Sequence, residues 1–234
     1  VQGDRTVGIW EAPPKSFLKK MEKGLETSMP KDHGFDVVNA IRAMRRGEVD
    51  VFFCMGGNFI SATPDTVATA EGVQKVGLTV QVSTKLNRSH LVTGVEALIL
   101  PCLGRTELDI QDSIPQFVSV ENSMGVVHTS TGKLQPASSE LRSEPWIVGR
   151  LASTVLPDSN IDWKSMVNDY DSIRNLMESC LDGFENFNQR VRQPNGFLLP
   201  NPPRDSRTFE TESNKAHFST HDLPNVHPVE GEFI

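Results

Sequence analysis

Apolar residues that run straight into paired glycines constrain a chain more than any other short pattern present here, and Val51-Phe52-Phe53-Cys54-Met55-Gly56-Gly57-Asn58 has that form. Such a run reads as a buried strand. Glycines at its carboxyl end let backbone N–H groups meet a phosphate or a purine with no Cβ in the way. About one βα unit further on, a second strand ends in Ser83-Thr84-Lys85-Leu86-Asn87-Arg88-Ser89-His90. Two strand ends of this kind make a nucleotide-like ligand the first hypothesis.

The surrounding segments supply the helices that such strands need. Phe35 to Arg46 places Val37, Val38, Ile41 and Met44 at helical spacing, with basic residues in the last turn and Gly47 just beyond as stop signals. After a strand at about 50–55, Pro64-Asp65-Thr66 opens a helix reaching about Lys75, with Thr63 as N-cap and Pro64 in its first turn. Apolar runs at Leu78–Val82, Ala97–Leu100 and Phe117–Val120 bring the strands to four. Most are separated by helix-length connections, which fits a parallel α/β sheet. Ser143-Glu144-Pro145 caps a further helix with Ile147, Val148, Leu151 and Val155 on one face, stopping near Pro157. Asp162 to Leu181 reads as one or two amphipathic helices. Beyond it, Pro194, Pro200, Pro202 and Pro203 rule out regular helix and predict an extended, exposed connection. Within that connection Ser213-Asn214, flanked by Phe209-Glu210-Thr211 and Ala216-His217-Phe218, predicts a small hairpin.

Bulk composition excludes several classes. At 234 residues and 37% hydrophobic, the chain has the core of one large or two small domains. A net charge of −7 argues against a nucleic-acid-binding surface spread over the whole chain. Cys54, Cys102 and Cys180 are odd in number, widely spaced and set in apolar stretches, so they read as buried, reduced thiols without a disulfide or thiolate metal site. No apolar run approaches the roughly 18 residues of a spanning helix, so no membrane partner is expected. The chain opens at Val1-Gln2-Gly3-Asp4 without an initiator Met, so a preceding segment is expected, and a cytoplasmic location is the expectation for the whole. Hydrolase, metalloprotease and ATPase readings lack their Ser-His-Asp ordering, paired His spacing or Gly-Lys-Ser/Thr loop. His217, His221 and His227 read as exposed loop residues.

Taken in order, a set of phrases resembles molybdopterin oxidoreductases of the dimethyl-sulfoxide-reductase superfamily, and within it the formate-dehydrogenase-alpha-subunit-like group. They are Val1-Gln2-Gly3-Asp4, Arg46-Gly47-Glu48-Val49, Cys54-Met55-Gly56-Gly57-Asn58, Ser83 to His90, Leu98-Ile99-Leu100-Pro101, Val120-Glu121-Asn122-Ser123-Met124, Asn188-Gln189-Arg190 and Ser213-Asn214-Lys215-Ala216-His217-Phe218. The resemblance spans almost the whole chain. It implies a Rossmann-like α/β fold, a mostly parallel sheet flanked by helices, followed by helices and an extended C-terminal connection with a small hairpin. It further implies that residues 1–140 form part of a molybdopterin-guanine-dinucleotide-binding domain, 141–190 a helical segment and 191–234 a connection toward a β-barrel domain beyond Ile234.

The implied cofactor is bis-molybdopterin guanine dinucleotide with molybdenum or tungsten, one guanosine diphosphate arm of which this segment would bind. A 4Fe-4S cluster in the parent would draw its ligands from outside this chain. Partners would be the remaining domains of the parent polypeptide, a small-molecule substrate and a redox partner; formate oxidation to carbon dioxide is the nearest named reaction, and the segment alone is expected to be inactive. The resemblance implies cofactor-binding roles for Gly56, Gly57, Asn58, Thr84, Lys85, Asn87, Arg88 and Ser89, with no catalytic or metal-ligating residue in the chain. Two positions depart from the family pattern. Thr84 stands where many relatives carry an Asp that accepts from guanine, and Phe59 follows Asn58 where relatives often have Pro.

Without the resemblance, each site has a plainer reading. The glycines also suit an ordinary βα turn at positive φ, and the second loop also suits a solvated helix start. Glu121, Asn122, Ser123 and His128 follow the fourth strand, where a lone His is more often structural than catalytic. Arg105, Glu107, Asp109 and Asp112 read as a charged connection without chemistry. The rival function is a stand-alone nucleotide- or small-ligand-binding regulatory module, which would require its sheet edges to be covered.

Overall fold

The computed structural model describes residues 2–223, so Val1, His227 and the terminal Phe233-Ile234 lie outside the described residues. Residues through Leu199 form one compact unit and those from Pro200 a second. In the first unit, α1 (Gln2–Thr6), α2 (Lys15–Leu25) and α3 (Val37–Arg46) precede β1 (Val51–Met55). The short α4 (Phe59–Ala62) and α5 (Thr66–Val73) lead to β2 (Leu78–Ser83), and a 3₁₀ turn at Arg88–Leu91 leads to β3 (Glu96–Pro101). Two-residue strands β4 (Ile110–Gln111) and β5 (Ile114–Pro115) are followed by β6 (Val118–Glu121) and β7 (Val126–Ser130). Next come α6 (Glu144–Val155), α7 (Trp163–Asn168), α8 (Tyr170–Cys180), α9 (Phe187–Val191) and β8 (Phe197–Leu198). The second unit holds α10 (Pro202–Ser206).

β1, β2 and β3 form a parallel sheet in that order, with Val51 opposite Leu78 and Leu78 opposite Glu96. Central β2 is buried over nearly all its length, as a parallel strand between two neighbours should be. The helix-covered face of the sheet carries Phe52 of β1, which packs with Met44 of α3, Ile60 of α4, Val73 at the end of α5 and Val76 just beyond it. Helix α3 starts where Asp36 accepts from the Asn39 N–H at 2.8 Å and stops at Gly47, whose φ of 73° lets its N–H reach back to the last carbonyls. Its buried residues are Ile41, Ala43 and Met44, whereas Val37 and Val38 lie exposed at its first turn.

Several sequence expectations need correction. The fourth strand does not join the parallel sheet: β6 pairs antiparallel with β7, and β7 with β8. The physical cause is the turn between them, where Asn122 Oδ1 accepts from the Met124 and Val126 N–H groups and Gly125 takes φ +77°. That turn is far too short for a parallel crossover. Helix α5 is capped by Asp65, which accepts from Ala68 N–H at 2.9 Å, because Thr63 closes α4 and gives its hydroxyl to a 2.7 Å bond with Thr69. Helix α6 turns Val148, Leu151 and Val155 outward and buries Gly149, where an added Cβ would lie 2.3 Å from Val167 Cγ1. Its contact with α7 is a close backbone approach. Pro202 and Pro203 begin α10 rather than preventing it, since the first helical positions need no N–H partner and Asn201 supplies the cap. Around Asn214, at φ 54°, the chain makes a turn through the 2.9 Å Asn214 N–H to Thr211 O bond, without strand pairing among the described residues.

The antiparallel sheet and the later helices share a second core. Phe184, Phe187 and Phe197 cluster there with ring centroids 4.8–6.1 Å apart, against Val127, Cys180, Val191 and Leu199. Arg174 is buried beside it, lying 4.0 Å over the Phe117 ring and donating to Asn188 Oδ1, Phe117 O and Asp171. A buried guanidinium is tolerable only when its donors are so occupied.

Candidate functional site at the carboxyl edge of the parallel sheet

Because β1 and β2 are parallel neighbours in register, their carboxyl ends are adjacent. The Gly56 N–H extends the ladder by one bond, 2.8 Å to Val82 O, before the chain leaves the sheet. Gly56 and Gly57 then take φ of +66° and +74°, a region that disfavours any side chain. A Cβ built on either residue would meet no atom within 4 Å, so the space beside both is open. The amide N–H groups of Gly57 and Asn58 make no hydrogen bond to another described residue. Open space beside unpaired N–H groups is what an anionic or carbonyl-bearing ligand requires.

The second loop is bolted to the first by side chains. Asn87 Nδ2 donates to Gly57 O at 2.8 Å, while Asn87 Oδ1 accepts from Ser89 N–H at 2.9 Å to cap the 3₁₀ turn. Ser89, which is buried, donates from Oγ to Asn58 Oδ1 at 3.1 Å and accepts from Ile60 N–H at 3.0 Å. Gln81, inside β2, reaches the Ser89 carbonyl from Nε2 at 2.9 Å. His90 completes a reciprocal cap: its Nδ1 accepts from Asn87 N–H at 2.9 Å. An accepting Nδ1 leaves the proton of a neutral imidazole on Nε2, which is buried without a partner among the described residues.

All eight residues expected from the sequence therefore come together on two adjoining loops, but in two roles. Asn58, Asn87 and Ser89 spend side-chain groups on holding the loops in place. Thr84, Lys85 and Arg88 are exposed, and neither cation has an ion-pair or hydrogen-bond partner among the described residues. The cations stand on a loop clipped to the one with the free N–H groups, and such groups are the donors an anionic ligand can use. Cys54 lies at the same edge, but burial raises its thiol, and burial together with Glu144 and Glu107 pushes Cys102 up to about 11. Both shifts favour the neutral thiol, and no group of three or more His, Cys, Asp or Glu among the described residues could hold a metal ion.

Sequence reasoning left out Gln81 and His90 as loop-positioning residues. A Gln within an apolar strand and the Asn-x-x-His spacing of a capping box are the signals that mark them. It also missed a cleft of about 500 Å³ lined by Leu103, Gln111, Gln135, Arg142 and Trp146. The cleft starts just past β3, where Cys102 bridges to Arg142 in parallel. Glu121, Asn122, Ser123 and His128 lie elsewhere, on the antiparallel β6–β7 hairpin; Glu121 accepts from Thr6 Oγ1 at 2.5 Å and His128 Nδ1 sits 3.0 Å from Thr129 O. Glu107 and Asp109 are structural anchors rather than solvated charges: Glu107 accepts from the Gly104 and Ala137 N–H groups, and Asp109 from the Tyr170 hydroxyl at 2.6 Å. Burial, then the bond to Asp109, raises the Tyr170 phenol.

No family model matches the sequence. Among curated proteins, the chain is 49% identical over 235 residues to one described as an uncharacterized oxidoreductase of Mycobacterium tuberculosis (strain ATCC 25618 / H37Rv), with 100% of this chain and 30% of that protein aligned. It is 44% identical over 220 residues to the protein YdeP of Escherichia coli (strain K12), with 94% of this chain and 29% of that protein aligned. The chain thus spans about 30% of the length of the curated relatives it matches, and corresponds to a segment of a longer polypeptide in them. Among the described residues no helix is long and apolar enough to cross a membrane.

Proposed function

We propose that the chain is the part of a larger molybdopterin-dependent oxidoreductase that binds a guanosine diphosphate arm of bis-molybdopterin guanine dinucleotide, and that the parent enzyme is formate dehydrogenase-like. The observation that carries this reading is the open double-glycine end of β1, clipped by Asn87 and Ser89 to the loop that presents Lys85 and Arg88. Gly57 and Asn58 N–H groups with Lys85 and Arg88 would hold the diphosphate, and the Thr84 hydroxyl would face the guanosine. When bound, the cofactor supplies the metal-centred two-electron chemistry; the chain supplies binding, orientation and positive charge. The name oxidoreductase carried by relatives at 49% identity supports the broad class.

The loops are held before any ligand arrives, so little ordering would be required on binding. Among the described residues no strand pairs with the outer edge of β1, which fits a segment of a larger domain better than a self-contained regulatory module. The test is analysis of the full-length parent for molybdenum or tungsten, pterin, and guanylate released on hydrolysis. Metal with pterin and guanylate is expected, and K85Q/R88Q should lower guanylate content while leaving the fold intact. A parent that purifies free of metal and pterin would favour the regulatory module and refute the proposal.

A further inference from the structure

Cys102, the first residue past β3, bridges in parallel to Arg142, and the Leu103 N–H donates to Arg142 O at 3.0 Å. The segment leading into α6 thereby runs beside the carboxyl end of the parallel sheet. The cleft of about 500 Å³ opens there, lined from β4 on one side and from residues 135–142 and Trp146 on the other. That volume lies within the range of small-molecule sites, which form preferentially at the carboxyl ends of parallel strands.

The walls are fixed without any ligand. Gln111 of β4 is buried and its Nε2 donates to Asp109 Oδ1 at 2.6 Å, while Asp109 Oδ2 accepts from the Tyr170 hydroxyl at 2.6 Å. The same hydroxyl lies 2.5 Å from Ser143 Oγ, which caps α6 by accepting from the Trp146 N–H at 3.3 Å. One chain of hydrogen bonds thus joins the Gln111 wall to the Trp146 wall, so a ligand would meet a cleft that is already shaped.

Arg142 gives the cleft its chemistry. Its Nη1 donates to Ser139 O at 2.7 Å and Leu141 O at 3.0 Å, which fixes the guanidinium, and its Cζ lies 5.5 Å from the centroid of the Trp146 ring. Nε and Nη2 donate no hydrogen bond among the described residues. The Glu140 carboxylate stands 4.0 Å from Nη2, beyond hydrogen-bond reach, and is 85% exposed, so water screens it. A guanidinium edge with two parallel donors matches a carboxylate. Leu108, Ile110, Pro136 and Leu141 supply apolar lining, and the Trp146 ring adds a flat face.

We infer that this cleft is a binding site for a small organic carboxylate with a flat, apolar body, its carboxylate taken by Arg142 and its body laid along Trp146 and Ile110. It is distinct from the edge formed by Gly56, Gly57 and the loop at 84–89, none of whose residues lines it, and it stands whether or not that edge holds a diphosphate.

The experiment is calorimetric titration of the full-length parent with naphthoate, and with naphthamide as an uncharged probe of the same outline. Naphthoate is expected to bind at least about tenfold more tightly than the amide, in keeping with a charge-assisted pair. R142Q should remove that preference. Because R142Q also breaks the bonds to Ser139 and Leu141, E140Q is the second variant: it leaves those bonds in place and removes the competing carboxylate. E140Q should tighten naphthoate by about two- to threefold and naphthamide not at all. If R142Q fails to fold, the E140Q response decides by itself. Equal affinity for the two probes, or a preference for naphthoate that these substitutions leave unchanged, would overturn the inference. Absence of naphthoate binding to the parent would also overturn it, in favour of a cleft filled by another segment of the same polypeptide.

Discussion

Replacing Asn87 with Ala removes two bonds at once: the cap to Ser89 N–H and the clip to Gly57 O. Loss of an N-cap side chain costs about 0.5–2 kcal/mol. The clip is exposed and belongs at the low end of the ~0.5–1.5 kcal/mol that a hydrogen bond contributes. The sum is about 1–3 kcal/mol, which lowers the unfolding midpoint by about 2–12 °C for a chain of this size. Thermal unfolding measures the total, and amide hydrogen exchange at Ile60, whose N–H crosses from one loop to Ser89 Oγ on the other, reads whether the loops stay together. N87D separates the two, because its carboxylate still accepts from Ser89 N–H but has no donor for Gly57 O. N87D is therefore expected to recover part of the stability while its Ile60 amide still exchanges faster than that of the parent protein. If N87A unfolds within about 0.5 kcal/mol of the parent protein and its Ile60 amide exchanges no faster, the two loops are not held together by Asn87 and the reasoning is wrong.

Other perturbations test other links in the fold. At Gly94 an added Cβ would lie 2.3 Å from the Val76 carbonyl oxygen, so G94A is expected to destabilise by an amount near the top of the ~1–3 kcal/mol range for overpacking, measured by urea unfolding; a neutral result would mean the β2–β3 connection yields freely. Burial favours the neutral form of Asp171, but hydrogen bonds from Arg192 and Arg174 outweigh it and hold its carboxyl below the usual 3.8. A lowered folded value stabilises above the unfolded value and is lost as pH falls through the folded one, so the stability difference between the parent protein and D171N should be full near neutral pH and shrink below about pH 4; an unchanged difference at low pH would count against the pairing. Cys102, raised to about 11, should resist iodoacetamide at pH 8, its folded-state proton being lost only as pH climbs toward that value; alkylation at the unfolded rate would contradict its burial.

The parts of this fold that read from sequence are those set by local chemistry. Gly47, Gly56 and Gly57 marked a helix stop and a strand exit because positive φ is a property of the residue itself. Asp162 and Asp169 each cap a helix, dividing the 162–181 stretch in two. What stayed hidden depended on partners distant in sequence. Phe117–Val120 has the composition of a parallel strand, and only the tight Asn122–Gly125 turn directs it into an antiparallel sheet with Phe197. The apolar stripe on α6 suggested a core face, yet the helix approaches α7 through Gly149, a choice that side-chain periodicity cannot signal. At the candidate site the residue types were legible. The division of labour was not, because whether Asn58, Asn87 and Ser89 face outward or bind one another is decided by how two loops, 29 or more residues apart, are brought side by side.

Those cross-links make the pair of loops a single mechanical part. Anyone transplanting the site into another scaffold, or exchanging one loop between relatives, would have to carry Gln81 and His90 along with the visible surface residues, because the grip originates beneath it. A graft of the exposed cations alone would reproduce the charge and lose the alignment.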